Sequence, residues 1–195
     1  SVTIYGIRNC DTMKKARAWL DGHGVAHAFH DYRTAGIDRV RLDHFRGFVQ
    51  FWEVPAGDVT AQNGHWVDAP GGDLFTLLTR GRSCLPFIAE DLGYITPDVH
   101  EMMAHFGFPG MKILVFGFSG DVAQNPHAPH NITSRCVAYT GTHDNNTVRG
   151  WFEHEVSSDP KHLIFRYIGG SVGTDQIHRI LIRLAMISPA ETVII

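Results

Sequence analysis

Three acids sit where short apolar runs break off: Asp43 in RLDHFRGF, Glu90 in LPFIAEDLG and Asp144 in CVAYTGTHDNNT. Two carboxyl groups flanking a sugar's acetal carbon can cleave it, one giving a proton to the leaving oxygen and the other acting as nucleophile or base; a third can hold sugar hydroxyls. An arginine beside a carboxylate keeps it ionised, as a nucleophile requires, and Arg41, His44 and Arg46 crowd around Asp43 in the sequence. Phe51, Trp52 and Trp66 offer flat faces for a pyranose ring, or equally serve as packing aromatics.

Acids this far apart meet only if the chain brings strand ends together. In a parallel barrel the reacting side chains lie at the C-terminal ends of several strands. A βα unit takes roughly 30 residues, so Asp43 to Glu90 fits one unit with a loop insertion and Glu90 to Asp144 fits two. MKILVFGF, at residues 111–118, has the near-continuous apolar character of the intervening buried strand. Thr96 and Pro97 predict a helix start, with Gly107 closing that helix. Asp175 predicts another start, with Ile177, Ile180, Leu181 and Leu184 on one face and Pro189 beyond the end. TVII then reads as a last strand, and Pro86, Phe87 and Ile88 form an apolar approach to Glu90.

RLDHFRGF, WEVPAG, IAEDLGYITPDV, FGFPGMKIL and YTGTHDNNT, in that order, resemble the amylomaltases, 4-alpha-glucanotransferases that disproportionate maltooligosaccharides. The resemblance covers about residues 41–195. It implies an α/β fold, an incomplete (β/α)8 TIM-type barrel carrying strands four to eight, with the first three strands missing upstream of Arg41. It also implies a retaining transfer of alpha-1,4-glucan segments without a cofactor. Asp43 is then the nucleophile, Glu90 the general acid/base and Asp144 the stabiliser of the distorted sugar. Arg41, His44, Trp52, Asp91 and His143 are the expected substrate-binding residues. The chain departs from the family at Asn146, where a second Asp is usual.

Residues 1–38 resemble something else, the opening βαβ unit of the arsenate reductase-like, thioredoxin-fold family. VTIYGI predicts a strand and NCD a helix start; Met13, Ala16 and Leu20 fall at helical spacing, Gly22 and Gly24 end the helix, and residues 25–32 predict a second strand. Cys10 is the possible thiol site, since a helix N-terminus favours thiolate, and Lys14 and Arg17 add positive charge. The expectation is a chimera, with one segment at 1–38 and the half barrel at 41–195. Two alternatives to a transferase follow: a thiol-dependent reductase using Cys10, and a non-catalytic barrel fragment that forms homo-oligomers.

Composition bounds the partners. With 44% hydrophobic and 19% charged residues in 195, the chain can bury a core, and a net charge of −3 with dispersed Lys and Arg gives no case for nucleic acid or an anionic membrane. A neutral glucan fits. No apolar run approaches the roughly 20 residues of a bilayer span. Cys10, Cys84 and Cys136 show neither metal nor disulfide spacing, which points to a cytoplasmic setting, with Cys84 and Cys136 as packing residues. His127 and His130 in PHAPH are divided by a proline in a loop and present no metal-ligand face. IGGSVGTD lacks the lysine of a phosphate loop and reads as a connection.

Overall fold

Three β-branched residues, Val2, Thr3 and Ile4, followed by Tyr5 build the first strand, β1 (Val2–Gly6), and the chain crosses through helix α1 (Asp11–Gly22) to β2 (His27–Asp31). The two strands pair in parallel, from Val2 opposite His27 to Gly6 opposite Asp31. Leu20 of α1 is buried, and the Arg17 guanidinium lies 4.7 Å from the Phe29 ring, so the helix is seated on β2 by both apolar and cation–π contact. A four-residue helix, α2 (Tyr32–Ala35), follows. The computed structural model describes residues 2–6, 8–35, 39–81 and 85–195, and the chain divides into two compact units, one up to Val40 and one from Arg41 to Val193. Asp38 and Cys84 lie outside the described residues.

The chain continues through β3 (Val40–Leu42), then β4 (Gln50–Glu53), β5 (His65–Asp68), α3 (Gly71–Thr79), β6 (Phe87–Ala89), α4 (Pro97–Phe106) and β7 (Gly110–Ile113). It continues through β8 (Cys136–Tyr139), α5 (Val148–Gly150), α6 (Ser158–Ile168), α7 (Ile177–Ile187) and β9 (Thr192–Ile194). β3 neighbours β6, and β7, β8 and β9 lie side by side in that order, β7 parallel to β8. A bond from Ala89 N to Pro109 O, at 3.0 Å, ties the end of β6 to the residue before β7. All four residues of β8 are buried, as expected of a strand covered on both faces.

The insertion after β3 is structured. β4 and β5 pair antiparallel, with Trp52 opposite Trp66, where the sequence suggested a plain loop. The strand expected over residues 111–118 stops at Ile113, and Leu114–Phe116 form a 3-10 turn instead. The ends of α4 fall where the sequence places them, after Thr96 and on Gly107 at φ 71°, a left-handed cap for which glycine has no Cβ penalty, whereas α7 starts at Ile177, two residues past the expected Asp175. In α7, Ile177, Leu181 and Ala185 recur every fourth residue and form its buried stripe. IGGSVGTD is the connection between α6 and α7.

Among the described residues three apolar clusters hold the strands, the smallest formed by Leu114, Ile132, Cys136, Ala138 and Ala185. Ile88, Met111, Ile113, Val137 and Tyr139 pack against Ile164 of α6 and Ile177 and Leu181 of α7. Phe45, Phe75 and Phe108 pack with Val99 and Met103 of α4, the Phe75 and Phe108 rings meeting edge to face at 5.0 Å. Burying each such side chain contributes about 1.5–3 kcal/mol, so the turn carrying Phe45 is anchored firmly beside β3.

Candidate active site

Asp43, Glu90 and Asp144 follow β3, β6 and β8, so the strands present all three from their C-terminal ends. Glu90 is fastened to the turn that carries Asp43. Its N–H donates to Leu42 O at 3.0 Å and its carbonyl accepts from Phe45 N at 3.1 Å. Its carboxylate accepts from the backbone N–H of His44 through Oε2 and from Leu92 N, at 3.2 Å, through Oε1. Ile88 and Ala89 below it are buried, Phe87 is half-buried and Pro86 is exposed.

Arg41 joins the other two acids. Its Nη2 lies 3.0 Å from Asp43 Oδ1 and 2.9 Å from His143 Nδ1. A guanidinium only donates, so Nδ1 accepts and the imidazole hydrogen sits on Nε2, which is 3.2 Å from Asp144 Oδ1. The result is one line of contacts, Asp43 to Arg41 to His143 to Asp144. The Asp43 and Asp144 side chains are 61% and 74% exposed while Arg41 is 26% exposed, so the carboxyls face solvent from a more protected cation. Exposed ion pairs of this kind stabilise a fold by about 0–1 kcal/mol, and what the line supplies is geometry.

Asp144 owes its place to local hydrogen bonds. Asn145 Oδ1 accepts from Thr142 N and Oγ1 at 2.9 and 3.0 Å, and Asp144 N donates to Thr142 Oγ1 at 3.3 Å. Asn146, the departure from the family pattern, donates from Nδ2 to Glu155 Oε1 at 2.9 Å. An ionised aspartate there would set two carboxylates against each other, so the amide suits its neighbour.

The remaining expected residues divide. Arg41, His44 and His143 gather with the three acids. His44 has an exposed imidazole and a left-handed backbone. Trp52 stands on the β4–β5 hairpin, 40% exposed, donating Nε1–H to Ala61 O at 2.9 Å with its ring edge-on to Trp66 at 5.2 Å. Asp91 turns to β7, where Oδ1 accepts from Met111 N at 2.6 Å. Cys10 is exposed at the N-cap position of α1 in the first unit, and there Lys14 pairs with Asp11 at 3.2 Å.

Several residues gain roles that their sequence context did not signal. Buried Arg46 lies 4.1 Å from the Trp66 ring and 5.3 Å from Tyr94, and donates to Thr96 Oγ1 at 2.8 Å. His127 Nδ1 accepts from Ile113 N at 3.0 Å, and burial, then the Lys112 charge, push its pKa down to about 4. Because N–H groups alternate along a strand, Met111 and Ile113 point theirs to one side of β7, and side chains, Asp91 and His127, satisfy both. His130 bonds Tyr167 Oη through Nδ1 at 3.0 Å. Cys136 is buried, its thiol donating to Thr133 O at 3.0 Å. Among the described residues no group of three or more His, Cys, Asp or Glu forms a metal site, and no helix is long and apolar enough to cross a membrane.

The 4-alpha-glucanotransferase family model, glycoside hydrolase 77, matches residues 29–195, starting within β2 and upstream of Arg41. The 4-alpha-glucanotransferase of Clostridium butyricum is 50% identical over 130 residues, covering 67% of this chain and 26% of the relative. That of Synechocystis sp. is 48% identical over 160 residues, 81% of this chain and 31% of the relative. Among solved structures, the amylomaltase from Streptococcus agalactiae in complex with acarbose is 34% identical with a TM-score of 0.73, over 95% of this chain and 36% of that one. The chain therefore spans between a quarter and somewhat over a third of the length of these relatives.

Proposed function

The chain belongs to the 4-alpha-glucanotransferase family, and from that premise we propose that it carries the catalytic acids of a retaining transfer of alpha-1,4-glucan segments between maltooligosaccharides. We also read β3, β6, β7, β8 and β9 as strands four to eight of a (β/α)8 barrel, with no cofactor and a neutral glucan as substrate. Asp43 attacks the anomeric carbon while a proton on Glu90 passes to the departing glucan oxygen, leaving a glycosyl ester on Asp43. Glu90, now a carboxylate, takes the proton of an incoming sugar hydroxyl, whose oxygen displaces Asp43 and forms the new glycosidic bond. Arg41 holds and orients the Asp43 carboxyl, and Nε2–H of His143 directs Asp144 toward the sugar. The observation that carries this reading is the attachment of Glu90 to the Asp43 turn through Leu42, His44 and Phe45, which fixes acid and nucleophile relative to each other.

The test is incubation with maltotriose. Glucose together with oligosaccharides longer than three units is expected, and acarbose, found in the S. agalactiae amylomaltase, is the expected inhibitor. Asp43→Asn and Glu90→Gln should each lower transfer roughly 1,000-fold without changing Tm. Full activity in either variant rejects the assignment, and glucose alone, without longer products, rejects transfer in favour of hydrolysis.

For residues 1–38 a second reading, an arsenate reductase-like βαβ unit, is supported by the parallel β1–α1–β2 arrangement with exposed Cys10 at the helix start. Thiol-dependent arsenate reduction lost in Cys10→Ser would establish it, and its absence from the unaltered protein would remove it.

A further inference from the structure

His44 differs from its neighbours in what its backbone does. Among the described residues it is the sole non-glycine with positive φ, at φ 47° and ψ 57°, a conformation that L side chains occupy at a cost. The kink lies between Asp43 and the buried 3-10 turn Phe45–Phe48, and it makes two consecutive N–H groups converge, as they do in a backbone nest. His44 N donates to the Glu90 carboxylate, and Phe45 N donates to the Glu90 carbonyl at 3.1 Å. On the other side of Asp43, Leu42 O accepts from Glu90 N at 3.0 Å. Glu90 is thus gripped on both sides of Asp43; an extended residue 44 would make the two N–H groups diverge, and a right-handed one would keep them side by side but turn the following chain to the opposite hand, moving Phe45 N–H off the Glu90 carbonyl. The His44 imidazole, by contrast, is exposed.

We propose that His44 is a positioning residue whose left-handed backbone, rather than its imidazole, sets the relation between the Asp43 and Glu90 carboxyls. The activity arm of its test rests on the glucanotransferase reading; the spectroscopic arm does not.

The series His44→Gly, Asn, Ala and Val removes the imidazole every time, but only glycine and asparagine accept the left-handed conformation readily. In NMR spectra of the full chain, the residue 44 amide proton, drawn downfield by its bond to the Glu90 carboxyl, should stay in place in the Gly and Asn variants. It should move upfield in the Ala and Val variants and in Glu90→Ala. In maltotriose disproportionation, kcat for Ala and Val should fall at least about tenfold below kcat for Gly and Asn, with KM common to all four. Equal losses across the series, tracking the missing imidazole, would overturn the proposal, as would an amide resonance indifferent to Glu90→Ala. If the Val variant does not fold, the Gly and Ala pair decides. Should the unaltered protein fail to disproportionate maltotriose, the transferase reading falls while the amide resonances still judge His44.

Discussion

One guanidinium, that of Arg41, contacts both Asp43 and His143, so a single cation holds the Asp43 carboxyl and fixes the imidazole beside Asp144. Both contacts run from one nitrogen, Nη2, whose two N–H bonds are fixed in the guanidinium plane, whereas the donors of a lysine ammonium rotate freely about its flexible stem. At this scale the histidines make the sharpest prediction. His127 accepts from Ile113 N and its pKa, lowered to about 4 by burial, lies below the ordinary value of 6.5. The unfolded chain therefore binds the proton more readily, so the stabilisation is fully present above about pH 6.5 and is lost as pH falls toward 4. Tm measured from pH 7 to pH 4 should fall more steeply for the unaltered protein than for His127→Asn, whose amide oxygen can still accept from Ile113 without titrating. Parallel curves would show that His127 is not held this way. The three acids were legible because each ends an apolar run, whereas nothing local to PHAPH marks His127 as an acceptor for a strand that closed fourteen residues earlier.

Elements were legible where their ends carry chemistry of their own. Thr96, Pro97 and Gly107 framed α4, and a spacing of four set the buried face of α7, because capping and helical period are local properties. The β4–β5 hairpin was not visible, since its strands leave Phe51, Trp52 and Trp66 each at least 40% exposed and so lack the alternation that announces a half-buried strand. β7 stops short of its apolar run, which turns at Leu114–Phe116, and Gly117 just beyond packs against the carbonyl of His127, where a Cβ would lie 2.6 Å from oxygen. The start of β7 is equally tight. A Cβ on Gly110 would fall 2.4 Å from Asp91 Oδ2, the carboxyl that binds Met111 N. Gly110→Ala should therefore cost about 1–3 kcal/mol in urea denaturation, by overpacking. Asp91→Ala should cost stability too, through its lost bond, but the double variant should cost less than the sum, because the clash disappears with the carboxyl. Strict additivity would mean that the two residues do not press on each other.

Across the whole chain, similarity and packing draw different boundaries. The family match begins at residue 29, within β2, while the compact units part between Val40 and Arg41. Sequence reading located the five motifs that follow Arg41 because each is contiguous, but the line from Asp43 to Asp144 depends on a contact between residues 102 apart, Arg41 and His143. That separation has a kinetic meaning. Closing so long a loop is entropically unfavourable until the strands between are in place, and an exposed contact contributes little toward closing it. Arg41 and His143 should then meet after the rate-limiting barrier of folding. In stopped-flow experiments Arg41→Ala should leave the refolding rate within about twofold and express its destabilisation as faster unfolding, the behaviour of a residue with φ near zero. Slower refolding would instead place the ends of β3 and β8 together in the nucleus. A chain emerging from denaturant would on this account cross its barrier with the line from Asp43 to Asp144 still open, and the single arginine that closes it would arrive too quickly afterwards to be timed apart from the core.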